Sequence, residues 1–588
     1  MELAASIVGI SSFAIQTFQG CVQGFQLVDK AQHIGNDGDL FRTGMMWEEY
    51  RLMQWGRRVG ILDKGTPDAS LNWDFAKMFL DLLEGLLTSA DTLKERYGLD
   101  VAVEEVEKER SRDIRPPEKG IPALLAKLRP EIHTAAGRVI QSRNGPIKRV
   151  KWATLGKGDA ERLLKDISKL NDKLDMLLDS ADRERRRAED EKLLRALVSA
   201  ATTATQAGRL EAVLPVIIER QSSTAAIGAA AHLKQVRLLV GTDKRLDEEQ
   251  TRPSQHAREA ARMPVVKTMK RTLRPYRDGQ KLAYTGLEFA VHGGQPIIIQ
   301  WRASNSSDRP EWEKHEKQIK LLVALLGAME DPSFRSLPCL GHYPAPSKNS
   351  YGIVYAAPDD RSAWQHTSLY DLMPTLRYVS LAKRLGIARA VAETVLQLHT
   401  AGWLHKGLKA ESIVFFTKRR ALAGTEMELE PFVFGYDYAR PDSTDGAVYT
   451  QWSESDLAGD LYRHPSAQGH DRETYQKRFD MYSLGCVLVE LLFWKRLIDI
   501  HAEWTCPDVV ETIEKAQKTN TMPDGWKPPS MMELLRNSDA VASMTHMAGE
   551  KYFKAVRTCI EIDQMQEGQE ASLEEEMEVV DLLGSCYV

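Results

Sequence analysis

The hydrophobic period of this chain changes once, and that change limits what it can fold into. From Leu3 to Glu219 apolar residues recur at three- and four-residue spacing with no strand-type alternation, which predicts helices. A highly charged stretch follows, Gly241–Pro264, with Pro253 inside it, and it reads as a linker or exposed brace. Only beyond it do strand signals begin. Lys281–Val291 and Pro296–Trp301, joined by His292-Gly293-Gly294, predict a hairpin. A multidomain protein is expected, with an all-α helical bundle first and an α+β unit second. Its 588 residues suit more than one core at a prior of about 150 residues each.

Composition excludes some functions. A net charge of −5 leaves no basic excess to neutralise phosphates, so no nucleic-acid partner is expected. Cys21, Cys339, Cys486, Cys506, Cys559 and Cys586 are scattered, with no C-x-x-C and no paired His spacing. They read as reduced thiols, neither a disulfide framework nor a zinc site, and no metal is expected. Glu2 is the only early charge, so the basic flank of a signal peptide is not seen.

Leu3–Val28 carries no charged residue. Ile7, Ile10, Ala14, Phe18, Val22 and Phe25 fall near helical spacing, opposite a stripe of Ser12, Gln16, Gln19, Gln23 and Gln26. Two roles fit. One is a bundle helix with its glutamine stripe facing water. The other is a helix that leaves the bundle and enters a membrane, where oligomers that pair or wet the amides lower a high insertion cost. The two are compatible as closed and open states. Further helices are expected over Leu40–Leu62, Trp73–Tyr97, Ile121–Val139, Asp159–Leu178 and Glu189–Glu219. Charges crowd Glu104–Lys119, where Pro116-Pro117 interrupts any helix, and Asp182–Lys192 reads as a solvated helix face. Ser222–Val240, rich in small residues, is expected to be helical and closely packed rather than a membrane helix pair.

Within this half, S-I-V-G-I…G-C-V-Q-G-F-Q-L-V, then Q-W-G-R-R-V-G-I at Gln54–Ile61, Glu95-Arg96-Tyr97 and the K-W-A of Lys151–Ala153 resemble, in order and spacing, the fungal HeLo domain of HET-S-type prion-inhibition and propagation proteins. The likeness covers roughly residues 1–220. It implies a cell-death or heterokaryon-incompatibility effector held inactive as a bundle, whose N-terminal helix damages the plasma membrane once exposed. HET-S carries an amyloid-forming tail, whereas the residues from Glu561 on are acidic and helix-prone.

The second half is organised around Leu398–Phe416, L-H-T-A-G-W-L-H-K-G-L-K-A-E-S-I-V-F-F. It resembles a protein-kinase catalytic loop, H-R-D-L-x-x-x-N, running into a strand. His405 matches the His, Lys406 the Arg, and Leu408 and Lys409 fit. Gly407 stands where the catalytic Asp belongs, and Ser412 where the metal-holding Asn belongs. Pro431–Arg440, P-F-V-F-G-Y-D-Y-A-R, is similar to the strand and D-F-G-L-A-R metal loop. Gly435 falls on the metal-binding Asp, and Asp437 is a fallback reached only by a shift that breaks the match at Ala439 and Arg440. No glycine-rich phosphate loop is present, and Gln300 of I-I-I-Q-W-R takes the nucleotide-binding Lys position. Arg302 or Lys281 could bring a cation near by another route. Glu311–Met329 is the candidate for the helix that normally pairs that Lys, through Glu313 or Glu316. Tyr462-Arg463-His464-Pro465-Ser466 resembles Y-R-A-P-E, and Asp480-Met481-Tyr482-Ser483-Leu484-Gly485 matches D-x-W-S-x-G, whose Asp ties the catalytic loop. Tyr552–Ile560 resembles a late large-lobe helix. The resemblance covers about Met263–Asp563 and implies a bilobal kinase-like fold.

Phosphoryl transfer depends on positioned metal charge and a proton-accepting Asp. Loss of the base alone costs roughly 10²–10⁴-fold. A pseudokinase is therefore expected, with no catalytic residue, no required cofactor and weak ATP binding left open. His405 reads as a core hydrogen-bonding residue, Lys409 as a surface lysine, and Trp301, Trp312, Trp403 and Trp494 as core or rim aromatics.

The domain expectation is thus a HeLo-like bundle over residues 1–220, a linker over 221–263, and a kinase-like domain with an acidic tail over 264–588. Three functions are carried forward. The first is a membrane-active effector governed by the pseudokinase, cytoplasmic at rest and moving to the plasma membrane. Its partners would be lipid, further copies of itself, and an upstream receptor or HeLo-type protein. The second is an unconventional ATP-dependent kinase, and the third a soluble signalling scaffold.

Overall fold

The computed structural model describes residues 13–25, 38–62, 68, 70–97, 101–106, 120–130, 134–135, 139, 147–152, 157–217, 222–242, 274–275, 287–303, 309–358, 364–418, 429–436, 439–442, 457–468, 472–519, 526–561 and 573–586. Contacts divide the chain into two units, Met1–Ala231 and His232–Val588.

In the first unit α1 (13–25) is followed by α2 (Gly38–Arg58), α3 (Trp73–Thr88), α4 (Ala90–Tyr97), β1 (Val101–Val106), α5 (Gly120–Leu128), β2 (Ile147–Trp152), α6 (Lys157–Met176), α7 (Ser180–Ala200) and α8 (Ala204–Ile217). The expected Trp73–Tyr97 helix is two, because Ser89 leaves helical geometry and its hydroxyl accepts from Thr92 N at 3.2 Å. The expected Glu189–Glu219 helix is also two, parted after Ala200.

The expectation of an all-α bundle is corrected by β1 and β2, which form an antiparallel pair. Val101, Val103, Ile147 and Val150 favour strand geometry. The register sets Glu104 opposite Arg149 and Glu105 opposite Lys148.

α1 is a core element of the bundle. Ala14, Phe18, Cys21, Val22 and Phe25 are buried, whereas Gln16 is exposed and Gln19 and Gln23 are half-buried. Gly20 and Gly24, four apart on one face, let α1 lie against α3: a Cβ on Gly24 would fall 2.6 Å from Leu87 Cβ. Thr17 Oγ1 donates to Asp81 Oδ1 at 3.0 Å, and Cys21 Sγ to Leu80 O at 3.3 Å. Ile7 and Ile10 lie outside the described residues. α2 is tied to α6 by a buried ionic cluster. Arg51 bonds Glu48 at 3.2 Å and Asp175 at 2.9 Å, and Asn171 Nδ2 donates to Glu48 Oε2 at 2.7 Å. Arg186 of α7 joins through Asp175. Burial raises the Glu48 carboxyl even though the Arg51 charge opposes the shift.

α9 (Ser222–Thr242) runs across the division between the units, covering residues expected to begin a linker.

The second unit opens with an antiparallel sheet ordered β3 (Arg274–Pro275), β4 (Leu287–His292), β5 (Gln295–Ala303), β7 (Ser350–Ala356), β6 (Cys339–Ala345). β4 and β5 turn through Gly293 and Gly294, both at positive φ (58° and 80°), the conformation a tight hairpin demands. Ala290, Ile297, Ile299 and Val354 form the sheet's core, with Trp301 and Tyr343 against it. α10 (Arg309–Gly327) packs on β6. β8 (Trp364–Ser368), α11 (Leu369–Thr375), α12 (Leu381–Thr400), β9 (Trp403–Leu404), β10 (Ile413–Lys418), β11 (Pro431–Val433) and β12 (Arg440–Pro441) follow. β10 pairs with both β8 and β11, and β12 with β9.

α13 (Lys477–Phe493) is buried on nearly every side from Phe479 to Leu492, as befits a helix with no polar face. Beyond α14 (Leu497–Trp504), α15 (Val509–Thr519) and α16 (Met531–Arg536), α17 (Ser538–Glu561) packs on α13, and α18 (Leu573–Gly584) packs on α12 and α17. The expected acidic tail is thereby corrected over these residues. α18 is part of the core, with Glu576, Met577, Val579 and Leu583 buried.

Candidate functional site

The β10–β11 ladder builds the site. Ile413 stands opposite Val433, and the pairing continues one step outward, Phe434 N donating to Ser412 O at 2.8 Å. The 405–412 loop and the 434–436 turn are therefore laid side by side. At their closest they touch through backbone: a Cβ on Gly407 would stand 2.8 Å from Gly435 O. Gly435 has φ +83°, and a Cβ there would stand 3.0 Å from Ser412 Cβ. The positions expected for two carboxylates are both closed to side chains. Asp437 and Lys281 lie outside the described residues.

Ser412 is spent inside its own loop. Its hydroxyl donates to Lys409 O at 2.7 Å and accepts from Lys409 N at 3.0 Å. Lys409 is half-buried rather than on the open surface. His405 is buried, its Nδ1 accepting from Gly407 N at 3.2 Å and its Nε2 at 3.0 Å from Phe434 O. Burial lowers its pKa, so the ring is neutral, with the proton on Nε2 donated to the carbonyl. Tyr436 packs on the ring at a 4.7 Å centroid distance. His405 thus staples the loop to the turn and has no proton to offer a substrate.

Asp480 of α13 anchors the loop from below. Oδ2 accepts from His405 N at 2.7 Å, and Oδ1 from Lys406 N at 2.9 Å and Tyr475 OH at 2.8 Å. Burial would raise its carboxyl, but the hydrogen bond from His399 leads the effects that hold it below the usual value. Lys406 has φ +62° and lies 5.3 Å over the Tyr475 ring. Burial, then the nearby Arg440, push its pKa down to about 8. Arg237 of α9 meets the turn before the loop, donating to Gly402 O at 2.7 Å and Ala401 O at 3.1 Å.

On the sheet, Gln300 is buried and its Oε1 accepts from Tyr355 OH at 3.2 Å. Arg302 is half-buried on the same strand. Glu316 pairs with Lys320 at 2.8 Å and approaches His342 Nε2 at 3.9 Å, and Glu313 is exposed. Trp403 is buried, Trp301 half-buried, and Trp312 stacks on Tyr351 at 4.2 Å. Among the described residues no group of His, Cys, Asp and Glu could hold a metal ion. No helix among them is long and apolar enough to cross a membrane.

His399 and Glu576 were not singled out by sequence reasoning. His399 belongs to a helical run whose other members are core, and Glu576 to an acidic run that reads as solvated. The geometry joins them to Asp480, with Glu576 Oε1 3.0 Å from His399 Nδ1 and His399 Nε2 3.2 Å from Asp480 Oδ2.

No curated protein matches the chain. Residues 6–206 match the family model HeLo, described as prion-inhibition and propagation, and the helical unit carries that likeness.

Proposed function

We propose that the protein is a HeLo-type cell-death or incompatibility effector whose helical bundle is governed by a kinase-like unit that does not transfer phosphate. The observation that carries the reading is the HeLo match over residues 6–206. The kinase-like part is supported by the five-stranded antiparallel sheet with α10 against it, the buried α13, and the Asp480 bonds to the 405–406 amides. Its silence is supported by the close approach of Gly407 to Gly435 O, which leaves no room for a general base.

At rest α1 is part of the bundle core. Exposing Phe18, Val22 and Phe25 would cost about 1.5–3 kcal/mol each, so a membrane-active form needs a trigger that favours the open arrangement. A partner protein or self-assembly would supply it, with the lipid surface as the target.

The test is inducible expression of the full chain, of a chain lacking residues 1–12, and of the Ile7→Asp/Ile10→Asp double variant, scoring viability and membrane fractionation. Death and membrane recovery with the full chain alone support the proposal. Overproduction favours the self-assembly that serves as trigger, so equal outcomes for all three chains at high expression overturn the proposal.

A further inference from the structure

One face of α3 keeps large apolar side chains in water. Phe75 is 51% exposed, Met78 44% and Leu82 52%, whereas Ala76, Leu80, Leu83 and Leu87 of the same helix are buried in the bundle. The steps between the exposed three are three and four residues, and a further three lead to Gly85, so the four positions form one stripe along the helix. Apolar residues exposed singly call for no explanation, but three in line mark a contact face. Gly85 ends the stripe in a notch, since a Cβ there would meet nothing within 4 Å. We propose that two copies of the chain pair through this stripe, α3 lying antiparallel on the α3 of the second copy. The pairing rests on the geometry of the first unit alone, so it stands or falls apart from the effector function.

The spacing selects the partner. Steps of three, four and three read the same from either end, with their centre at residue 80. On reversal Phe75 therefore falls on Gly85 of the second copy, and Met78 on Leu82. A ring enters the gap left by a missing side chain, and two side chains of similar length meet between the two gaps, as knobs and holes require. A parallel pair would set Phe75 on Phe75 and leave two notches facing each other. The ring is already held in place: Phe75 stacks on Phe79 at a 6.4 Å centroid distance, and Lys173 Nζ of α6 lies 5.4 Å over Phe79.

Charge beside the stripe agrees with a second copy. Lys77 and Asp81, paired at 2.6 Å within one helix, are centred one residue from the same point. Reversal therefore brings Lys77 near Asp81 of the second copy, and rim charges of this kind set register more than strength. Asp74 and Asp81 equal Lys77 and Lys173 in number, so no basic excess draws this face to an anionic lipid surface.

Three half-exposed side chains cover on the order of 300 Å² per copy, against about 800 Å² per partner in a standard stable complex. The pair is therefore weak, with copies separate when dilute and joined when concentrated.

Sedimentation equilibrium of the full chain, from about 1 μM to about 1 mM, tests the pairing. The mean mass should climb with concentration towards that of two chains. Leu82→Asp should weaken the association about tenfold or more, because it puts a charge into the contact. Gly85→Leu is the discriminating variant. It adds apolar surface in open space on a helix, so the fold is kept, yet it fills the notch that receives Phe75 and should weaken pairing to a similar extent. Adding Phe75→Ala to it should restore most of the loss. Tyr378→Asp, at a side chain 92% exposed in the second unit, should change nothing. A single-chain mass at every concentration, pairing indifferent to Leu82→Asp, or pairing strengthened by Gly85→Leu would overturn the proposal. So would capture by phosphatidylglycerol vesicles that Leu82→Asp abolishes while the mass stays that of one chain, which would make the face a lipid contact.

Discussion

Gly407 and Gly435 meet backbone against backbone, and a methyl group on Gly407 would stand 2.8 Å from the Gly435 carbonyl oxygen. A Cβ on Gly435 would press on Ser412 Cβ at 3.0 Å, so restoring either carboxylate means displacing a neighbouring segment of the site.

Gly407→Asp should therefore destabilise without conferring phosphate transfer. The loop must shift to seat the Cβ, at a cost of about 1–3 kcal/mol. Gly435→Ala adds strain at φ +83° as well as the Ser412 contact, for a loss of similar size. Chemical denaturation of both variants checks the order of magnitude, and a Gly407→Asp protein as stable as wild type would contradict the closed site.

Much of this site was legible in the chain. The hairpin at Gly293-Gly294 and the motif order from His405 to Asp480 rest on local spacing, which a single sequence displays. The β1–β2 pair was not legible, because its strands are short and far apart, and only the register reveals that Glu104 meets Arg149. Glu576 was hidden for another reason. In the run E-E-E-M-E every acid reads as solvated, and only packing against α12 singles out the one that points inward.

Arg51→Ala should cost the bundle about 3–5 kcal/mol, since buried Glu48 would lose its cation and Asp175 would keep only Arg186. Arg51→Lys should recover only part of the loss, because one ammonium cannot reproduce the forked contacts. Denaturant midpoints of the two variants measure both effects.

Asp480→Asn keeps the shape of the side chain but presents one acceptor oxygen to the His405 and Lys406 amides instead of two. A loss of about 1–3 kcal/mol is expected, with His399 left without its Asp480 counter-charge. Hydrogen exchange at residues 403–407 should rise in this variant more than at any strand of the sheet.

The pH dependence follows from His399, whose pKa is raised to about 9. Its contribution is fully present below its ordinary value near 6.5 and is lost as pH rises through about 9. Wild-type protein should lose about 2–4 kcal/mol of unfolding free energy between those limits. His399→Gln should be less stable at the acid end and should lack the His399 share of the fall across the window, measured as the difference from wild type by denaturant titration at each pH.

The most direct measurement is transfer of the γ-phosphate from magnesium ATP by purified full-length protein. The closed Gly407–Gly435 contact predicts no transfer above the uncatalysed background, in the wild type and in Asp437→Ala alike. Transfer at about 1 per second or faster, abolished by Asp437→Ala, would contradict it.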